Sequence, residues 1–428
     1  MNVPSCIGAL LVAAGLLSST PVGHAASLSE LMEEARRNNP DILAARRAWQ
    51  AAAQVPTQVT TMPDPTVSVQ HLSVGSPRPF AGYSNSDFAY IGLGISQDLP
   101  YPGKLRLKGE SAREDVAIAR DKLDAVTRSV IEQVKEAYFQ IAAIQETLAV
   151  LDRDSRLLEQ IESIADARYR VGQGIQQDIL KAQLERTKLL REVANQRQLL
   201  GSAGAQITKL LNRGAHSQDL SSRDLSLLDL TADRLVETPL RNTAEELLAK
   251  ARAQNPAIAG QQEIVKRQSL GVEMARKDRY PDFNVQYQWQ HTGDQFRDYY
   301  MVSFSARLPI YRSRKLNPEL AQATEELSRS EREYESQIQA AYFDVRDQYL
   351  AAQTASQLLT IYREGLIPQA LAAYQAGLVA YQGGRQDFES LLSSFMDVLN
   401  FDREYWKTLA EHETALSRIE QVTGLSLN

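Results

Sequence analysis

From Leu105 to Val171 the chain runs without a proline, and after Gly109 it has no glycine until Gly172. Within that stretch an apolar residue returns at every seventh position: Val116, Leu123, Val130, Ala137, Ile144, Leu151, Leu158 and Ala165. A second set, Val134, Ile141 and Leu148, lies one turn away. A strict sevenfold repeat keeps one seam on a partner helix and imposes a left-handed supercoil. At 1.5 Å per residue, about 65 residues make a rod of roughly 100 Å. No single globular domain is that wide, so the pattern predicts an extended helical element.

The pattern then recurs. From Ser27 onward, Leu28, Leu31, Ala35 and Ile42 are spaced for one helical face. The string Leu31…Ala35-Arg36…Asn39-Pro40…Ile42 returns as Leu247…Ala251-Arg252…Asn255-Pro256…Ile258, each pair 216 residues apart. Pro63-Asp64 is then matched by Pro281-Asp282, Leu99-Pro100 by Leu308-Pro309, and Ala137-Tyr138-Phe139 by Ala341-Tyr342-Phe343. Matches that keep their order imply a tandem duplication. The predicted organisation is a leader over 1–26, a first repeat over 27–213, a linker over 214–243 and a second repeat over 244–428.

Each repeat carries two stretches of period two. Phe283, Val285, Tyr287, Trp289 and His291 alternate with Asn284, Gln286, Gln288 and Gln290. After the turn-like Thr292-Gly293-Asp294, Tyr300, Val302, Phe304, Ala306 and Leu308 alternate with Met301, Ser303, Ser305 and Arg307. In the first repeat Ala89, Ile91, Leu93 and Ile95 alternate with Tyr90, Gly92, Gly94 and Ser96, and Thr66 to Val74 is the partner strand. Such hairpins suit a soluble core with one wet face. They suit a membrane barrel better: the length approaches the roughly 9–11 residues of a spanning strand, the inward set is Gln, Asn, Ser and Gly, and aromatics sit where interfacial girdles form. Four strands fall short of the roughly eight that close a barrel, so strands in lipid require several chains to pool them.

After each hairpin the pattern predicts a long helix, a glycine-bearing break and a shorter helix. The first break is Tyr169 to Gly174, before a helix from Gln177 to Asn212; the second lies within Tyr374 to Gly384, between a helix from Glu319 and a last one from Gln386 to just before Gly424.

Composition adds export and removes chemistry. Ile7 to Leu17 is an apolar core too short to cross a bilayer, followed by small residues up to Ala25-Ala26, which reads as a secretory signal peptide. The single cysteine, Cys6, lies within it, so the expected mature chain forms no disulfide. No run of about 18 apolar residues predicts a membrane helix. The net charge of −6 leaves no nucleic-acid footprint. His71, His216, His291 and His412 are scattered with no metal-ligand spacing, and no phosphate-binding glycine loop opens a helix. Catalysis is not expected, nor is a cofactor or a bound metal.

The duplicated half, the Leu…Ala…Asn-Pro openings, the paired strands and the Tyr-x-x-Gly breaks followed by Asp resemble the TolC-like outer-membrane efflux factors over the whole mature chain. Ile95-Ser96-Gln97-Asp98-Leu99-Pro100-Tyr101-Pro102-Gly103-Lys104-Leu105-Arg106 is most similar to the heavy-metal-exporting branch. The resemblance implies a mainly α fold with a small β-barrel contribution. It implies a homotrimer with a twelve-stranded barrel in the outer membrane of a Gram-negative bacterium and an α-helical tunnel through the periplasm. Partners are a periplasmic adaptor and an inner-membrane RND-type pump; the cargo would be metal cations, with drug efflux or type I protein secretion as alternatives. A periplasmic coiled-coil adaptor is the competing architecture.

The resemblance also places a gate at the helix breaks. Tyr169-x-x-Gly172…Asp178 matches the first family turn. The second is either Tyr374-x-x-Gly377…Asp387 or Tyr381-x-x-Gly384, with Arg385 beside it. Asp387 and Asp178 are then constriction candidates, and Val171-Gly172-Gln173 and Ala376-Gly377-Leu378 are adaptor-docking candidates. Asp387 also reads simply as an acid at a helix start, and the glycines as helix caps.

Overall fold

The computed structural model describes residues 27–213 and 235–427, so the leader and most of the inter-repeat segment lie outside it. The first repeat comprises α1 (Leu28–Asn38), α2 (Pro40–Ala52), α3 (Val55–Thr60), β1 (Thr66–Leu72), β2 (Tyr90–Leu99), α4 (Lys104–Arg170) and α5 (Gln176–Leu210). The second comprises α6 (Ala244–Gln254), α7 (Pro256–Lys277), β3 (Asp282–His291), β4 (Tyr299–Arg307), α8 (Asn317–Ile361), α9 (Ile367–Gln382) and α10 (Phe388–Thr423).

The rod is α4, a single helix of 67 residues. Its seam is buried at Val130, Ala137, Leu151, Leu158 and Ala165, and half-buried at Val116, Leu123 and Ile144, nearer the sheet or at mid-rod. It packs on α5, α7 and α10, while α8 packs on α7 and α10, so α4, α8 and α10 each have more than one long neighbour and α5 packs mainly on α4. Narrow seams on more than one face give a curved wall rather than a closed bundle. The twin of α4 extends further than the pattern suggested. It runs on through Tyr374 to Gln382, as α8, a π-helical turn at Tyr362–Leu366, and α9. Pro368 lies two residues beyond that turn; its missing N–H and ring bulk are accommodated by the wider turn, and the helix continues.

Two asparagines tie the short helices to the long ones. Asn39 closes α1 and caps α2 through its side-chain oxygen, while its amide donates to Leu210 O at 2.9 Å, at the end of α5. Asn255 does the same between α6 and α7, donating to Val422 O at 3.2 Å near the end of α10. Above them Leu31 and Ala35 pack with Val134 and Ile141 in the first repeat, and Leu247 and Ala251 pack with Val345 and Leu416 in the second.

The four strands form one antiparallel sheet in the order β1-β2-β3-β4, so β1 and β4 are free edges. The register places like beside like: Val67, Ile95, Tyr287 and Val302 form one row, and Val69, Leu93, Trp289 and Tyr300 the next. The opposite face carries Ser68, Gly94, Gln288 and Met301, then Gln70, Gly92 and Gln290. The apolar face is bare: Val67 is 65% exposed, Phe304 66% and Val302 73%. A soluble sheet would bury that face. Among the described residues no helix is long and apolar enough to cross a membrane.

Replacing Asn39 or Asn255 with alanine should cost about 1–2 kcal/mol for the lost cap, with a further ~1–3 kcal/mol for a stranded carbonyl. Asn→Asp keeps the cap and removes only the amide donor, so it should fall between. Thermal unfolding followed by circular dichroism in detergent orders the three proteins; equal midpoints for Asn39→Asp and wild type would show that the long-range bond contributes nothing.

Candidate functional site

The two helical hairpins turn at their far ends by the same device. In the first, Gly172 has φ 72°, its N–H bonds to Tyr169 O at 3.0 Å, and Gln173 N–H bonds to Arg168 O at 2.8 Å. In the second, Gly384 has φ 68°, its N–H bonds to Tyr381 O at 3.0 Å, and Arg385 N–H bonds to Ala380 O at 2.8 Å. Both are Schellman caps, which need a left-handed residue and therefore favour glycine. The equivalence settles the register of the second turn: Tyr381, not Tyr374, is the counterpart of Tyr169.

Three expectations change with it. Tyr374 lies inside α9, buried against Phe395 with ring centroids 5.8 Å apart, and burial pushes its hydroxyl pKa up. Ala376, Gly377 and Leu378 are helical too, so they are not part of the turn. A Cβ at Gly377 would sit 3.3 Å from the Gln386 side-chain amide, a tight contact. Finally, Asp387 is equivalent to Ile175 rather than to Asp178: each is the N-cap residue three positions after its glycine. Asp387 accepts from Ser390 N–H at 2.7 Å and from the Ser390 hydroxyl at 3.1 Å, and these bonds hold its carboxyl below the usual range. It remains exposed at the tip, as does Arg385.

The residue that joins the two tips is one the sequence reading passed over. Arg168, in the last turn of α4, donates to Tyr381 O across the gap and to Gln173 O at 3.0 Å. Its guanidinium also lies 4.6 Å from the Tyr381 ring centroid. The Tyr381 hydroxyl in turn donates to Asp178 Oδ2 at 3.2 Å, in the first turn of α5. Tyr381 is only 2% exposed, packed edge-on against Phe388. Burial, with the Asp178 charge, pushes its hydroxyl pKa up to about 12, so it stays a donor. Lys181 and Glu389 add an outer ion pair at 2.7 Å between α5 and α10. One signal would have found Arg168. It lies seven residues after the buried Ile161, and a cation that follows a buried apolar residue by two turns asks for a partner.

Deeper along the hairpins, Asp154 is fully buried on the same seam, held by Arg153 Nε at 2.8 Å, and Arg153 reaches Asp402 of α10 at 2.5 Å. Burial pushes the Asp154 carboxyl pKa up. Val171, Gly172 and Gln173 are exposed at the extreme end. Among the described residues no group of three or more His, Cys, Asp or Glu is arranged to hold a metal ion. The tip is therefore a set of contacts that hold two hairpins together, with free polar and apolar groups beyond them.

Comparison with known proteins places this architecture. The cobalt-zinc-cadmium resistance protein CzcC of Cupriavidus metallidurans (strain CH34) is 23% identical over 327 residues, 75% of this chain and 74% of its own. The outer-membrane channel OprN superposes with a TM-score of 0.77 at 18% identity, covering 94% of this chain and 90% of that one. The transmembrane channel CusC superposes with a TM-score of 0.76 at 16% identity, covering 94% and 92%. The mainly helical fold with four antiparallel strands is thus that of TolC-like channels. The outer membrane efflux protein family matches twice, over residues 31–213 and 247–424, starting at the same leucines, Leu31 and Leu247, that open the sequence repeat. This chain belongs to the outer membrane efflux protein family, and it is an efflux exit duct of the outer membrane that extends into the periplasm.

Proposed function

We propose that three copies of this chain pool their sheets into a twelve-stranded barrel and their helical hairpins into a periplasmic tunnel. A periplasmic adaptor docks at the tips, and an inner-membrane RND-type pump loads the duct. The observation that carries this reading is the sheet: one face with exposed apolar rows across all four strands, two edges unpaired, and too few strands to close alone. Conduction is passive, along a lumen lined by the Gln, Ser and Gly face.

The proposed cargo is divalent metal cations. Its support is the likeness to a cobalt-zinc-cadmium resistance protein, together with the Ile95-to-Arg106 stretch. The proposed gate is the contact set Arg168–Tyr381–Asp178 holding the two hairpin tips together, with Asp387 as an acidic residue at the mouth. Docking falls to Val171, Gly172 and Gln173, which protrude beyond the gate. The helical position of Ala376, Gly377 and Leu378 makes the exposed Gly384–Arg385 turn the second docking element.

Deleting the gene should sensitise cells to cobalt, zinc or cadmium salts; sensitivity confined to dyes and detergents would assign the duct to organic compounds. Outer-membrane fractionation and heat-modified gel migration test the architecture, and a purely soluble monomer would overturn it.

For the gate, Tyr381→Phe removes one hydrogen bond to a carboxylate, a contribution of about 1.5 kcal/mol or more. Since 1.4 kcal/mol is about tenfold in an equilibrium, the open state should gain roughly tenfold in occupancy per protomer. Arg168→Ala should open the tip further, and Asp387→Ala should weaken cation block. Single-channel conductance in planar bilayers reads all three, and unchanged channels would remove these residues from the gate.

A further inference from the structure

The protomer already contains one joint of the kind its free edges need. β2 comes from the first repeat and β3 from the second, so their pairing is a contact between repeats made inside one chain. The foot of that joint is specific. Asp282 accepts from Tyr101 N–H at 2.8 Å and from Lys104 Nζ at 3.0 Å, with Asp278 also 3.0 Å from Lys104. Beside them Tyr101 stacks on Tyr280, ring centroids 4.6 Å apart.

The duplication carries each of these positions to the outer edges. Pro281-Asp282 corresponds to Pro63-Asp64, so Tyr280 corresponds to Met62. Leu99-Pro100 corresponds to Leu308-Pro309, so Tyr101 corresponds to Ile310 and Lys104 falls at Ser313, between Arg312 and Arg314. The same spacing pairs Leu107 with Leu316, and both are buried.

In the protomer these edge positions are idle. Met62 is 46% exposed and Ile310 71%, although their counterparts are stacked together. Asp64, Arg312 and Arg314 are exposed and make no ion pair among the described residues. The Ile310 N–H, with no carboxylate to meet, turns back onto Leu308 O at 3.0 Å.

We infer that β4 of one copy pairs with β1 of a second copy in the register that β2 and β3 use within the chain. Asp64 of the second copy then accepts from Ile310 N–H and from the Arg312 and Arg314 guanidiniums, and its Met62 covers Ile310. Within the chain Leu99 lies opposite Phe283, so the equivalent register sets Ser305 against Ser68, Phe304 against Val69 and Ala306 against Val67. Lipid-facing positions meet lipid-facing ones, and lumen-facing meet lumen-facing. A slip of one residue would invert every pair. The inference rests on the trimeric reading and adds to it the register and the residues of each seam.

Apart from Cys6 the chain has no cysteine, so the seam can be tested by introduced pairs. Positions 68 and 305 lie three strands apart in one protomer, at least about 14 Å at the usual strand spacing, and Ser68 is in register with Met301 rather than Ser305, so a disulfide between them joins two chains. Full-length protein in outer-membrane vesicles carrying Ser68→Cys with Ser305→Cys, oxidised with copper phenanthroline, should run as a covalent trimer on a non-reducing gel. Thr66→Cys with Ser305→Cys, shifted by two, should react far more slowly. Preference for the shifted pair, or no cross-link in a protein that still migrates as a heat-dissociable trimer, overturns the register while leaving the trimer standing. A chain that is monomeric before oxidation overturns both. Separately, Asp64→Arg should lower the temperature at which the trimer dissociates in detergent, and adding Arg312→Asp and Arg314→Asp should restore it. A trimer indifferent to Asp64→Arg would remove the charge clamp.

Discussion

A strand edge in hydrocarbon cannot leave its backbone N–H and C=O groups unpaired, because nothing in the lipid replaces water as their partner. This chain supplies four strands, pairs them consecutively and leaves two edges bare. Their apolar side chains face outward in continuous rows across all four strands, which excludes burial of that face on the chain's own helices. Backbone satisfaction and side-chain pattern thus impose the same requirement, closure by further copies. The helices inherit it. A wall of staves rooted in a ring of strands must itself curve into a ring, and α4 is built for that, with neighbours on two sides along its length.

The wall is mostly apolar packing, but its polar exceptions are concentrated where positions matter. Asp154 and Arg168 both stand on the seam of α4, where an apolar residue would pack more simply. A buried charge is stable only with its partners in place, so Asp154, through Arg153, ties α4 to Asp402 of α10, and the half-buried Arg168 ties it to Tyr381 of α9. Arg153 and Asp402 answer Asp154 from mid-hairpin, and Tyr381 answers Arg168 at the end.

Much of the fold was legible in the sequence because its signals are periodic and long. The sevenfold apolar seam, the alternation in Phe283–His291 and Tyr300–Leu308, and the Asn-Pro helix junctions are local patterns with a direct geometric meaning. The tip was harder, for two physical reasons. Tyr374-x-x-Gly377 and Tyr381-x-x-Gly384 are the same motif one heptad apart, and only the left-handed φ of Gly384 tells a cap from a helical glycine. The residues that meet there, Arg168, Asp178 and Tyr381, come from three helices, and no spacing along the chain encodes that meeting. Asp387 was visible as an acid near a helix start, and its bonds to Ser390 show the capping function directly.

The two tips share a motif yet play different parts, and the difference traces to one position. Tyr169 is 46% exposed, whereas its counterpart Tyr381 is 2% exposed. The residue before each tyrosine is Arg168 in the first copy and Ala380 in the second. Arg168 can therefore reach Tyr381, but the reciprocal contact, from Ala380 to a Tyr169, has no cation to make it. In a ring of alternating first and second hairpins, contacts of the two orders would otherwise be alike by repeat symmetry. The Arg–Ala difference makes the two tips unequal: the contact that Arg168 makes to Tyr381 has no counterpart from Ala380 to Tyr169. Within the chain Arg168 holds Tyr381 and Tyr381 holds Asp178, so a single line of contacts runs from α4 through α9 to α5, and it passes through one buried tyrosine.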